Sequence, residues 1–208
     1  MITASSLRTR GRARWMMRLS SLALVVLVSA CSSAAKPRFD LTNVTGHLPD
    51  LKFQLTADNG KTMTAKDFRG KVVMMYFGYT HCPDVCPLTM TRMHVVLQQL
   101  GKQADGIRLL FVSVDPARDT VPVLHQYVTA FDKHDVGLTG APAQIRALAK
   151  RYRAAFDRGK VQKDGGYEVN HSAAIYIFDG KGHARVLATP ATSNKDLEHD
   201  LRLLLKGA

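Results

Sequence analysis

The chain has 208 residues and a formal net charge of +12, with 29 Lys and Arg against 17 Asp and Glu. Residues 1–30 hold five of the arginines and no acidic residue, so the remainder carries 12 − 5 = +7. A basic chain can bind nucleic acid, but the export signal described next argues against that partner. The charge fits anionic lipid headgroups or an acidic protein, and solubility alone explains it equally well.

The N-terminal segment has the pattern of a bacterial lipoprotein signal. Its arginines precede a short apolar stretch, Leu22 to Val28, whereas a membrane-spanning helix needs about 20 apolar residues. The sequence Val28-Ser-Ala-Cys31 resembles a lipobox, where the cysteine is acylated and becomes the new N-terminus. We therefore predict a signal peptide at 1–30, a lipid-anchored tether at 31–40 and one domain at 41–208, attached to the membrane on the periplasmic side. The alternative is an uncleaved signal anchor.

The rest of the chain predicts an α/β domain. Leu51–Leu55 alternates apolar and polar residues, Asp58–Gly60 is a turn signal and Lys61–Thr64 can return, so these segments predict a β-hairpin. The further predicted strands are Val72–Phe77, Ile107–Val114, Ala173–Phe178 and Ala184–Ala188, and the predicted helices are the segment from Pro87 to Leu100, Val123–Phe131, Pro142–Tyr152 and the segment from Asn194. Asp119 or Thr120 is expected to cap the second helix. This order predicts a thioredoxin-like mixed sheet flanked by helices, with an added N-terminal β-hairpin.

Two cysteines, Cys82 and Cys86, directly follow the first buried strand and open a helix. A helix N-terminus is expected to favour their thiolates. Cysteines at this spacing can form a disulfide or hold one soft metal ion. Thioredoxin-type oxidoreductases usually have two intervening residues, whereas this chain has three. Two thiolates alone suit zinc poorly, because zinc takes four ligands, but Cu(I) accepts low coordination.

A third ligand could come from His171, which lies just before the predicted strand Ala173–Phe178. As a loop residue it would reach the dithiol if that strand neighbours the cysteine-bearing strand. On position alone, a histidine that leads into a strand is more often an ordinary hydrogen-bonded residue than a metal ligand. His81 adjoins the dithiol, but adjacent ligands rarely converge on a small ion. Met90 and Met93 are soft donors at helical spacing, which favours the core.

Four motifs in order along Leu41–Leu205 resemble the SCO/SenC family; they are Tyr79–Pro87, Val114–Thr120, Gly137–Gly140 and His171-Ser172. This family comprises thioredoxin-like copper chaperones that serve the assembly of cytochrome c oxidase. The resemblance implies that Cys82, Cys86 and His171 bind copper, as Cu(I) and also as Cu(II). One position departs from the family pattern, because Asn170 stands where the family has an acid before the histidine.

Together these observations predict a lipid-anchored copper chaperone. It would take copper on Cys82, Cys86 and His171 and pass it to a cytochrome c oxidase subunit, at the dinuclear copper centre. The thiols must be reduced first, so an external thiol reductant is implied, and a carrier need not be an enzyme. The alternative is a thiol-disulfide oxidoreductase that keeps the oxidase cysteines reduced, which needs both cysteines but not His171. A peroxidase or redox sensor is a third hypothesis, but no activating arginine motif accompanies the dithiol.

The lipid anchor can be tested by the Cys31→Ser variant. Acylation requires the cysteine sulfur, so the variant should lose lipid attachment and maturation at this site. Labelling cells with a radioactive fatty acid measures the modification directly. Equal label in the variant and the original chain would contradict the predicted lipoprotein signal.

Overall fold

The computed structural model describes residues 38–163 and 165–207, so the predicted signal peptide, Cys31 and most of the predicted tether lie outside the described residues. The strands are β1 (Thr42–Asn43), β2 (Gln54–Ala57), β3 (Thr62–Thr64), β4 (Val72–Gly78), β5 (Ile107–Ser113), β6 (Val136–Thr139), β7 (Phe156–Arg158), β8 (Val169–His171), β9 (Ile175–Phe178) and β10 (Ala184–Ala188). The α-helices are α1 (Val85–Leu100), α2 (Val121–Thr129), α3 (Pro142–Arg151) and α4 (Asn194–Leu205). Within the described ranges, no helix is both long and apolar enough to cross a membrane.

Eight strands form one mixed sheet in the order β1-β10-β9-β4-β5-β6-β2-β3. The central strands β4, β5 and β6 are parallel, whereas β9 runs antiparallel to β4 and β2 runs antiparallel to β6. Helices α1 and α4 pack against each other, and α2 packs against β6. The predicted fold class is confirmed: a thioredoxin-like mixed sheet flanked by helices, with the hairpin β2–β3 at one edge.

The core is centred on β4, whose seven residues are all buried. Both faces of this strand are therefore covered, which is why its sequence is continuously apolar instead of alternating. Met90 and Met93 of α1 are fully buried, which confirms their expected place in the core. Burying an apolar side chain of this size stabilises the fold by about 1.5–3 kcal/mol.

The structure differs from the predicted elements mainly where strands are short. The hairpin begins at Gln54 instead of Leu51, and β9 begins at Ile175 instead of Ala173. The sequence does not predict strands β1, β6, β7 and β8, because each is short and contains glycine or polar residues, so no apolar run marks it. The main consequence concerns His171, which is the last residue of β8 and not a loop residue as predicted.

The start of the domain is attached to α4 through a buried carboxylate. The two oxygens of Asp200 accept hydrogen bonds from the backbone N–H groups of Asp40 and Leu41, at 3.0 and 2.9 Å. His199 Nδ1 lies 2.9 Å from Asp40 Oδ2 and 3.0 Å from Asp200 Oδ1. Asp40, which ends the predicted tether, is therefore part of the folded domain. Because both Asp200 oxygens accept hydrogen bonds from backbone N–H groups, the cluster of Asp40, His199 and Asp200 has a structural role.

Candidate metal centre

The two cysteines lie where the central strand passes into a helix. Strand β4 ends at Gly78 and α1 begins at Val85, so Cys86 and Pro87 are in the first helical turn, as predicted. Cys82 is half-buried, Cys86 is buried, and both are free thiols. The backbone N–H of Cys86 donates to the sulfur of Cys82 at 3.4 Å, which satisfies a donor that the helix leaves unpaired.

His171 meets the two cysteines at this point. Its Nε2 atom lies 3.3 Å from the Cys86 sulfur, and the ligand atoms of Cys82, Cys86 and His171 all lie within 4.8 Å of one another. Bonds from zinc to thiolate sulfur or imidazole nitrogen are about 2.0–2.3 Å. An ion with similar bond lengths would hold its ligand atoms up to about 4.6 Å apart, so the group needs little contraction to bind one.

The imidazole of His171 is held in one tautomer and one orientation. Its Nδ1 atom lies 3.2 Å from the backbone carbonyl oxygen of Ser172. Since a carbonyl only accepts, this contact favours the tautomer in which Nδ1 carries the hydrogen and the lone pair of Nε2 faces Cys86. The rings of Tyr76 and Tyr79 pack edge-on against the imidazole, with centroids 5.9 and 5.8 Å away. These contacts would preorganise Nε2 to coordinate a metal ion.

Burial controls the charge of the metal-free site. It raises the pKa of the Cys86 thiol to about 12 and lowers the pKa of His171. Both groups are therefore uncharged at neutral pH. The prediction that the helix N-terminus favours the thiolate is wrong for Cys86, because desolvation of the charged form outweighs the helix dipole. A bound cation would supply the missing positive charge.

Two residues on β4 shape the pocket around Cys86, and sequence reasoning did not identify either. A Cβ atom at Gly78 would lie 2.8 Å from Phe111 Cε2 and 3.0 Å from the Cys86 sulfur, so only glycine leaves room for the thiol. The hydroxyl of Tyr76 donates to the same sulfur at 3.7 Å. The available signal was a glycine at the end of an otherwise large, apolar and buried strand.

The loop before Cys82 is held by Asp119. Of the two residues expected to cap α2, Thr120 occupies the cap position and Asp119 does not. The Asp119 carboxylate accepts hydrogen bonds from the backbone N–H of Thr80 at 3.1 Å, from the Thr80 hydroxyl at 2.6 Å and from the Ser113 hydroxyl at 2.6 Å. Because β4 and β5 are parallel neighbours, the residues that follow them meet at the same edge of the sheet. His81 is exposed, and its Nδ1 atom is hydrogen-bonded to the Thr80 hydroxyl at 3.0 Å.

His171 is carried by the separate ribbon of β7 and β8, where it pairs with Phe156. The segment before β8 is attached to the loop after β5 by Arg118, which donates to the carbonyl oxygen of Tyr167 at 2.9 Å and to the carboxylate of Asp115. The Tyr167 hydroxyl donates to the other Asp115 oxygen at 2.8 Å. The loop that precedes α2 therefore positions both the Cys82 loop, through Asp119, and the ribbon of His171, through Arg118.

The residue before His171 is Asn170, where the family resemblance leads us to expect an acid. Asn170 is exposed on β8 and lies opposite Asp157 of β7 in the ribbon register. An amide at this position carries no charge, so this side chain adds no negative charge to the surface beside His171.

A thioredoxin-like domain that brings two cysteines and a histidine together at the start of a helix defines a thiol-based metal-binding protein. The chain belongs to the SCO1/SenC family, whose sequence profile matches residues 35–206. This confirms the resemblance that the motifs predicted.

Individual relatives agree with this assignment. Protein SCO1 homolog 1, mitochondrial, of Arabidopsis thaliana is 37% identical over 142 residues, which are 63% of this chain and 42% of that protein. Protein SCO2 homolog, mitochondrial, of Bos taurus is 39% identical over 132 residues, 62% of this chain and 50% of that protein. The chain thus matches about half the length of these relatives or less.

Among solved structures, Bradyrhizobium japonicum ScoI with copper bound is 38% identical, with a TM-score of 0.68, over 75% of this chain and 99% of that one. The similarity therefore extends over almost the whole of that solved chain.

The role of Asp119 can be tested by the Asp119→Asn variant. The variant would place an N–H donor where a carboxylate oxygen now accepts, opposite groups that are themselves donors, so we expect a loss of about 1–3 kcal/mol in the free energy of unfolding. Urea unfolding of the reduced, metal-free protein measures this, and hydrogen exchange should also accelerate at the Thr80 amide. Asp157→Asn is the control, because Asp157 is exposed on β7. An unchanged unfolding midpoint for Asp119→Asn would contradict the role assigned to its carboxylate.

Proposed function

We propose that this protein binds copper through Cys82, Cys86 and His171 and delivers it to cytochrome c oxidase during assembly, at the dinuclear copper centre. The observation that carries the proposal is the convergence of the three ligand atoms within 4.8 Å, although His171 is 85 residues from Cys86 in sequence. Soft thiolate sulfur favours Cu(I). Membership of the family, together with the copper bound by the Bradyrhizobium japonicum relative, supports this metal.

The different exposure of the two thiols suggests an order for copper transfer. Cys82 is half-buried and can be reached from solvent, whereas Cys86 is buried beneath it. An incoming thiolate of the acceptor would replace Cys82 first, and His171 and Cys86 would be replaced later. This sequence exchanges one ligand at a time, so the ion is never left without thiolate coordination.

The cellular setting forms part of the same proposal. Signal removal and acylation at Cys31 would place the domain on the periplasmic side, attached to a membrane. Thiols in an oxidising compartment tend to pair, so an external thiol reductant would be needed to keep Cys82 and Cys86 ready for copper.

A second candidate function is thiol-disulfide exchange with the cysteines of the oxidase subunit. The observation in its favour is the proximity of the two thiols, since the Cys86 N–H contacts the Cys82 sulfur directly. This reaction would use the dithiol alone and has no need of the imidazole.

The His171→Ala variant separates these two functions. Removing a direct ligand should lower copper affinity by at least the 10–100-fold typical of changes around a metal site. Disulfide formation between Cys82 and Cys86 should persist, because it does not use the imidazole. Copper affinity is measured by competition with a chromogenic Cu(I) chelator, and function by restoration of oxidase activity in cells at limiting copper.

His47→Ala is the matched control, because His47 is exposed and distant in sequence from the metal ligands. It should keep full copper affinity. If His171→Ala restores full oxidase activity while Cys82→Ser does not, copper carriage is wrong and thiol-disulfide exchange explains the dithiol.

Copper affinity should also depend on pH through Cys86. Because burial raises the pKa of this thiol to about 12, it is protonated at neutral pH in the metal-free protein, and copper must displace that proton. Affinity should therefore rise at least about tenfold for each unit of pH increase and fall as the solution is acidified. Chelator competition on reduced protein measures the slope, and the disulfide form should bind no copper. A pH-independent affinity would exclude Cys86 as a ligand.

A further inference from the structure

A second recess lies beside the ribbon that carries His171. It is a cleft of about 200 Å³ between the loop after β5, the start of α3 and the ribbon. Its apolar lining comes from all three elements: Val114, Ile145, Phe156, Tyr167 and Val169. Phe156 pairs with His171 across the ribbon, and Val169 precedes His171 by two residues on β8. The cleft and the metal centre therefore share one structural element.

Two arginines give the cleft a positive charge. Arg146 of α3 and Arg158 of β7 line it, and both residues are exposed. In residues 38–163 and 165–207, neither side chain forms an ion pair with a carboxylate. The guanidinium of Arg158 stacks on the ring of Tyr167, 3.8 Å from its centroid, which holds its charge beside the apolar lining.

One carboxylate, Asp115, also lines the cleft. Its two oxygens are already engaged, one by the guanidinium of Arg118 and the other by the hydroxyl of Tyr167. Asp115 therefore forms a local ion pair with Arg118, and the net charge that the cleft offers to a ligand comes from Arg146 and Arg158.

We infer that this cleft docks an acidic segment of a partner protein. An apolar side chain of that segment would occupy the lining, and the carboxylates that follow it in sequence would pair with Arg146 and Arg158. The apolar lining argues for a peptide over a free anion, because a small anion gains nothing from contact with Phe156 or Ile145. The positive charge specifies an acidic segment by electrostatic complementarity. A partner held here would lie against the ribbon that presents His171.

The inference goes beyond copper carriage, and its test needs no copper. The full chain, ¹⁵N-labelled and reduced in detergent micelles, is titrated with acetyl-Leu-Glu-Glu-amide and followed by NMR. Saturable shifts are expected for the backbone amides of Ile145, Tyr167 and Val169. Acetyl-Leu-Gln-Gln-amide, which lacks the charges, should bind more weakly.

Variants test the contribution of charge. Arg146→Gln/Arg158→Gln should weaken binding of the acidic peptide by roughly fivefold, from two solvent-exposed ion pairs, and the loss should shrink as salt is added. Lys102→Gln/Lys195→Gln removes two exposed positive charges outside the cleft and should leave the affinity unchanged.

Three results would overturn the inference. The first is equal binding of the acidic and the neutral peptide. The second is unchanged binding to the Arg146→Gln/Arg158→Gln variant. The third is a shift of the cleft signals by glycerol phosphate but not by the acidic peptide, which would identify a lipid headgroup as the ligand.

Discussion

The burial of the Cys86 sulfur at the junction of β4 and α1 is the constraint on which the metal centre depends. Gly78 leaves room for this sulfur, Tyr76 donates to it, and Nε2 of His171 faces it at 3.3 Å. A buried thiolate without a cation is unstable, so the metal-free protein keeps the proton on Cys86. The same environment would stabilise a thiolate bound to a metal ion, because the ion supplies the positive charge that water cannot.

The three proposed ligands, Cys82, Cys86 and His171, are supported by different parts of the fold. The cysteines follow a fully buried central strand, whereas His171 is carried by a ribbon that lies outside the main sheet. Contacts of Arg118 and Tyr167 with Asp115 attach this ribbon to the loop after β5. Displacement of the ribbon would move the imidazole and leave the dithiol in place. The position of the third ligand is therefore the part of the site that a partner bound to the ribbon could influence.

The exposed surface beside the ribbon carries two arginines that form no ion pair with a carboxylate in the described part of the chain. Arg146 and Arg158 flank an apolar cleft, and the nearby Asn170 is uncharged. Under the proposed lipid anchoring, the domain would meet both anionic lipid and acidic protein surfaces. The apolar lining of the cleft distinguishes between them, because it can bury an apolar side chain of a protein segment, and a lipid headgroup has no such group.

The sequence alone determined the elements whose signals are local. A continuous apolar run predicted β4, helical spacing placed Met90 and Met93 in the core, and the positions of Cys82 and Cys86 followed from the strand before them. Resemblance to the family added His171.

Only the tertiary structure showed that His171 ends a paired strand, that Asp119 holds the Cys82 loop, and that burial opposes the helix dipole at Cys86. Each of these depends on residues distant in the chain. Strand pairing and desolvation depend on contacts between such residues, and local sequence patterns do not predict those contacts.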